Sequence, residues 1–230
     1  MLKQHIKTHF NSNLDKATIH QSPFQYLYYE NVFPVNFYND LITSLPNSPV
    51  YNPYAKERPG GNNFPDRFII NLNEKIEALS SSWEIVRSVL QNRSTQITLM
   101  SKFQETTDLQ MSKDNIFETD AILIRDKTNY ELSPHTDHPR RMVVLIIYLA
   151  KSDEYQHLGT SLYTPIKPGL TCNGHWHHPR SQFNRVYTAP YKPNSALAFL
   201  KTNNSFHGVE SVPEDEERNL IHFFIKVPND

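Results

Sequence analysis

His135 and Asp137 stand two apart in Leu132-Ser-Pro-His-Thr-Asp-His-Pro139, and side chains two apart on an extended segment point to the same face. One imidazole and one carboxylate placed so can grip one cation. With eleven His and eleven Asp in 230 residues, chance alone yields about 0.5 His-x-Asp pairs, so the pair gains meaning only from its context. A third ligand candidate, His207, sits in Asn203-Asn-Ser-Phe-His-Gly-Val-Glu-Ser-Val212, and Arg218 follows eleven residues after it. Two histidines and one carboxylate on one face of an octahedral ion, with the other face open, suit Fe(II).

Such a set needs a rigid frame, and the C-terminal half of the chain supplies strand-like runs. Ala121–Arg125, Met142–Leu149, Arg185–Ala189, Ala196–Leu200 and Leu220–Val227 are rich in β-branched and aromatic residues and separated by Pro and Asn turns. Several short strands at this spacing predict a sandwich or barrel of the jelly-roll kind. Upstream, residues 1–22 are polar and read as an irregular arm, Tyr26–Val32 reads as a strand, and Val35–Leu45 as a short helix stopped by Pro46. Residues 46–66, with five Pro and Gly60-Gly61, read as a loop. From Asn73 to Asp108, Ile76, Leu79, Trp83, Val86, Val89 and Leu90 recur at helical spacing, which predicts two helices broken near Asn92–Ser94 and packed outside the sheet.

A chain of this length builds one substantial core, so the expectation is a single domain over 1–230, with supporting elements to about 115 and the β core from about 116. Lys and Arg number 23 against 24 acidic residues, which gives no basis for a global attraction to nucleic acid or an acidic membrane. No apolar run is long enough to span a bilayer, and the start of the chain lacks a hydrophobic signal core. With Cys172 as the only cysteine, these features predict a cytoplasmic protein.

The order His135, Asp137, His207, Arg218 resembles that of the Fe(II)/2-oxoglutarate-dependent oxygenases, and more narrowly the prolyl-hydroxylase branch. Further matching pieces are Phe24–Pro34, Tyr148-Leu149 and Gly159-Thr160, so the likeness runs over roughly residues 22–227. The resemblance implies a mainly β fold with flanking helices around a double-stranded β-helix, a jelly-roll, cupin-like core. It implies Fe(II) on His135, Asp137 and His207, 2-oxoglutarate chelating two further positions, and O2 as co-substrate. By the same likeness Arg218 would hold the distal carboxylate of 2-oxoglutarate, helped by the Tyr148 hydroxyl and by Thr160 lining the same pocket. A guanidinium suits that task because it offers two parallel charge-assisted bonds. The expected reaction is hydroxylation of an unactivated C–H bond in a small-molecule or peptidyl substrate, with 2-oxoglutarate decarboxylated to succinate. Asp137 argues against the halogenating subclass, which replaces this carboxylate with a small residue.

Other readings stay open beside these. Arg218 could be a solvated side chain after Glu214-Asp-Glu-Glu217, and Tyr148 a core tyrosine. His222 shares strand parity with Arg218, so it either faces the same interior or is a hydrogen-bonded core histidine. Arg125 could face the substrate or mark the solvent end of its strand, and His138, Arg140 and Arg141 could form the rim of the mouth. The long segment Thr164–Gln182, carrying His175-Trp-His-His178, reads as a lid or a second metal site. The competing class is a non-oxidative cupin-like barrel that binds metal or sugar, an isomerase or a binding protein.

Overall fold

The apolar run Met142–Leu149 can lie in a sheet only if both faces of that sheet are covered, and they are. The computed structural model describes residues 1–57, 64–74, 77–103, 117–174 and 176–226. In it, β7 (Arg141–Leu149) is flanked by β10 (Pro193–Leu200) and β12 (Arg218–Lys226). The sheet extends past β10 to β2 (Tyr26–Glu30) and β1 (Ile19–His20). Past β12 it extends to β5 (Glu118–Asp126), β4 (Arg67–Asn71) and β3 (Asn52–Pro53). A second sheet, in the order β6 (Leu132–His135), β11 (His207–Val209), β8 (Thr160–Pro165) and β9 (Phe183–Ala189), completes the double-stranded β-helix. Every strand pairing is antiparallel.

The period of two along each strand divides the large sheet cleanly. Ala121, Leu123, Val143, Leu145, Ile147, Ile221, Phe223 and Ile225 face outward into a core shared with the helices. Ile122, Ile124, Val144, Ile146, Leu220 and Phe224 face inward, toward the second sheet. The outer layer is made by α1 (Leu2–Lys16), α2 (Val35–Thr43), α4 (Ser81–Leu90) and α5 (Arg93–Ser101), while α3 (Tyr54–Glu57) is a single turn beside β3 and β4. Asn92 separates α4 from α5, its side chain accepting the Ser94 N–H as an N-cap does. The Trp83 indole donates to the Ser44 carbonyl at 3.0 Å and ties α4 to the end of α2.

Two sequence expectations are corrected here. Residues 1–22 are not an irregular arm, because Ile6, Phe10 and Leu14 recur every fourth residue and form a fully buried stripe on α1, hidden in the sequence by polar neighbours. The first of the paired helices begins at Ser81 rather than Asn73. Asn71 and Asn73 spend their side chains on the backbone of Asn73 and Ala121, which competes with a helix. Lys75, Ile76 and residues 104–116 lie outside the described residues, as does the Gly60-Gly61 pair.

Phe223 is fully buried on the helix side of β12, one residue from His222 on the opposite face. Phe223→Ala should cost about 3–5 kcal/mol in urea unfolding, because the cavity left behind adds to the lost transfer energy. Metal binding by the folded fraction should stay intact, and loss of metal binding in folded protein would contradict the separation of the two faces.

Candidate functional site

His135 closes β6 and His207 opens β11, and the two are direct partners in the antiparallel register. Their ring centroids lie 4.3 Å apart. Gly208 permits this approach, since a Cβ there would stand 2.4 Å from the Leu132 carbonyl oxygen. Each imidazole is oriented in the same way, with Nδ1–H donating at 3.0 Å to a backbone carbonyl two residues back, Ser133 for His135 and Ser205 for His207. A carbonyl can only accept, so Nδ1 carries the proton and the Nε2 lone pair is left for a ligand.

Asp137 supplies the third donor. One ligand atom from each of His135, Asp137 and His207 lies within 4.8 Å of the others, and Asp137 Oδ2 stands 3.4 Å from His207 Nε2. Oδ2 is buried without a hydrogen-bond partner among the described residues, while Oδ1 is held by Arg141. Burial alone would raise the Asp137 carboxyl, but Arg141, His207 and His135 outweigh it and hold the group well below the usual carboxylate range. Burial, reinforced by His207, pushes His135 well below the ordinary histidine value, so its ring is neutral. Two imidazoles with Nε2 turned to the cavity and a carboxylate with an orphan oxygen fit a divalent first-row metal and leave its other positions open.

The site opens on a cavity of about 610 Å3. Its inner wall is Arg218, Leu220, His222 and Phe224 of β12 with Ile122 and Ile124 of β5, the inward parity of both strands. Arg218 is 1% exposed. Its Nε–H donates to the Leu158 carbonyl at 2.5 Å, Nη1 to Asp126 Oδ2 at 2.9 Å and Nη2 to Thr160 Oγ1 at 3.3 Å. Thr160 lines the cavity beside it. Tyr148 stands behind them, fully buried, its hydroxyl accepting the Thr160 N–H at 3.1 Å and its ring 5.8 Å from the Arg218 guanidinium. The alternative of a solvated Arg218 is excluded by its burial.

Of the remaining candidates, His222 faces the cavity as parity required, its Nε2 without a partner among the described residues. His138, Arg140 and Arg141 also line the cavity. Arg125 does not line this cavity. It belongs to the outward parity of β5 and is fixed to Asn219, the Pro46 carbonyl and the Tyr51 ring. The segment 164–182 splits its histidines. His177 stacks on His135 with centroids 4.8 Å apart and reaches Phe64 at 5.6 Å, while His178 packs between Phe183 and Phe206. His175 lies outside the described residues. Hydrogen bonds hold the segment against the site at Cys172, Gly174 and His178, with Arg180 bonding to the carbonyls of Leu132 and Val209. Gly174 has φ +88°, and a Cβ there would meet the Asp137 carbonyl at 2.6 Å, so only glycine lets the segment lie this close.

Sequence reasoning missed Arg67 and Asp126. Arg67 grips Asp126 through two bonds, Nε to Oδ1 at 2.6 Å and Nη2 to Oδ2 at 2.9 Å, and its guanidinium lies 4.1 Å over the Tyr130 ring. The signal for Asp126 was available, because it continues the inward parity of Ile122 and Ile124. Arg67 gave none in one dimension, standing at the edge of a loop.

No family model matches the chain, and no curated protein matches it. Solved structures do. A prolyl-4-hydroxylase from Pseudomonas putida superposes with a TM-score of 0.56 at 13% identity, over 96% of this chain and 99% of that one. A prolyl hydroxylase from Trichoplax adhaerens, in complex with a hypoxia-inducible-factor peptide fragment, gives 0.53 at 11% identity over 97% and 90%. The epimerase SnoN, in complex with Fe3+, α-ketoglutarate and nogalamycin RO, gives 0.53 at 10% identity over 97% and 83%. This chain has the fold of the 2-oxoglutarate/Fe(II) oxygenases. Within that fold, the register of β6 and β11 and the inward row of β12 are what assemble the donor set and Arg218 in one cavity.

Arg141 lies over the Phe224 ring at 3.6 Å while it holds Asp137 Oδ1, so it fixes which carboxylate oxygen faces the histidines. Arg141→Leu should weaken Mn(II) binding about 10- to 100-fold, the usual cost of losing a partner that orients a metal ligand. Electron paramagnetic resonance titration measures it, and unchanged affinity in a folded variant would remove this role.

Proposed function

We propose that the chain is an Fe(II)- and 2-oxoglutarate-dependent dioxygenase that hydroxylates an unactivated C–H bond. The observation that carries this reading is a buried pair of oriented imidazoles and an orphan carboxylate oxygen in one cavity with a buried arginine. His135, Asp137 and His207 would hold Fe(II). Arg218 would take the distal carboxylate of 2-oxoglutarate, since three of its five N–H groups have described partners and two remain. Thr160 and Tyr148 would steady that arginine and its guest. Bound together, the two cofactors supply oxidation by O2 coupled to decarboxylation, so that substrate, O2 and 2-oxoglutarate give hydroxylated substrate, succinate and CO2. Of the chain's own residues, Ser133 and Ser205 would orient the imidazoles through their carbonyls, Arg141 would orient the carboxylate, and Ile122, Ile124, Leu220 and Phe224 would limit water at the inner wall.

The substrate side of the cavity is lined by Tyr54, Phe64, Leu132, His177 and Val209, an aromatic and apolar wall that starts at the metal ligand His135. Such a wall accepts the side chain of a peptide or a small molecule with an apolar face. The related folds named above hold one of each kind, a peptide fragment and nogalamycin RO. We place the reaction in the cytoplasm, and among the described residues no helix is long and apolar enough to cross a membrane. One observation favours the rival reading of a non-oxidative metal-binding barrel: Arg218 already has an acidic partner in Asp126, so its charge has a structural use.

Binding of 2-oxoglutarate decides between them. Truncating one partner of a buried charge-assisted pair costs about 2–5 kcal/mol, which corresponds to roughly 30-fold or more in affinity. Arg218→Ala should therefore weaken 2-oxoglutarate binding to the Mn(II)-loaded protein by at least that factor, with Mn(II) affinity unchanged. Arg218→Lys should recover only part, because an ammonium cannot make the forked contact. Calorimetric titration reads both; a parent protein that binds no 2-oxoglutarate would support the rival, and an Arg218→Ala protein that binds 2-oxoglutarate like the parent would place the anchor elsewhere.

A further inference from the structure

Arg67, Asp126 and Arg218 form one row across three adjacent strands. Asp126 of β5 is the direct register partner of Arg67 on β4 and of Arg218 on β12. Its Oδ2 accepts from both arginines at 2.9 Å, while Oδ1 accepts from Arg67 alone at 2.6 Å. Asp126 is fully buried, and the two arginines are 9% and 1% exposed and line the cavity. A buried carboxylate against Arg218 alone would make a neutral pair, with nothing left to attract an anion. The second arginine changes that sum, because two cations and one anion leave one positive charge in a low-dielectric pocket, where it acts strongly.

Resting on the cofactor reading above, we propose that Arg67 determines affinity for the dicarboxylate: by taking the charge of Asp126, it frees Arg218 for the distal carboxylate of 2-oxoglutarate. Arg67 then acts without needing to touch the ligand. It binds Asp126 with a two-pronged fork and is itself held flat over Tyr130, so the cancellation is built into the resting fold. This makes Arg67 a positioning residue for the anion site. The arrangement also explains how the acid is tolerated directly behind the wall of a pocket that would accept another carboxylate.

The probes are 2-oxoglutarate and 2-oxobutanoate, which share the chelating 2-oxo acid end and differ in the distal carboxylate. Both are titrated into Mn(II)-loaded protein by calorimetry, with thermal melting as the control for folding. Arg67→Met should weaken 2-oxoglutarate binding about tenfold or more and leave 2-oxobutanoate within about threefold of the parent. The double variant R67M/D126N restores one net positive charge and should recover 2-oxoglutarate binding to within about threefold. Arg67→Lys keeps the charge without the fork and should bind 2-oxoglutarate more tightly than R67M, and within about tenfold of the parent, which decides the matter if R67M does not fold. An R67M protein with parental 2-oxoglutarate affinity, an equal loss for both probes, an unrestored double variant or an R67K protein weakened more than about tenfold would each overturn the role of Arg67. A parent protein that binds no 2-oxoglutarate would instead overturn the cofactor reading itself.

Discussion

A carboxylate buried with one oxygen unpartnered costs several kcal/mol unless charge nearby makes up for it, and Asp137 is such a group. The rest of the site follows from how that cost is met. Arg141 takes one oxygen, the Phe224 ring fixes Arg141, and two imidazoles with their lone pairs turned inward stand on the other side. A divalent cation would complete this arrangement, since the three donor atoms lie within 4.8 Å of one another.

The large sheet makes the burial possible. Covered on one face by helices and on the other by the second sheet, it offers an interior where parity alone decides what meets the cavity. Arg218 and His222 fall inward because Leu220 and Phe224 do, and Arg125 falls outward because Ala121 and Leu123 do. The same rule puts Asp126 inside, where it is paired with an arginine on each neighbouring strand.

Much of this was legible before any coordinates. The His-x-Asp pair, the distant histidine and the arginine eleven residues on marked the site, and β-branched runs marked the strands that carry it. What could not be read depended on neighbours brought together from afar. Arg67 and Asp126 lie 59 residues apart and meet only through the β4–β5 register. Arg125 looked like a candidate because a charged residue in an apolar strand is ambiguous until the layer on each face is known. Helix α1 was misread because four apolar residues in fifteen, three of them buried, are a weak periodic signal, yet a stripe that narrow is enough when it is packed against α4, α5 and β2. The segment 164–182 has no period, and its position comes from individual hydrogen bonds and from Gly174 rather than from any pattern.

The central claim is that one cavity holds Fe(II) on His135, Asp137 and His207 together with 2-oxoglutarate. Its most direct test is visible absorption under anaerobic conditions, in which Fe(II) and then 2-oxoglutarate are added to the protein. A metal-to-ligand charge-transfer band that appears only with both, and is lost in His207→Ala protein that remains folded, is the predicted result. Absence of the band in the parent, or its persistence in the His207→Ala variant, would contradict the account.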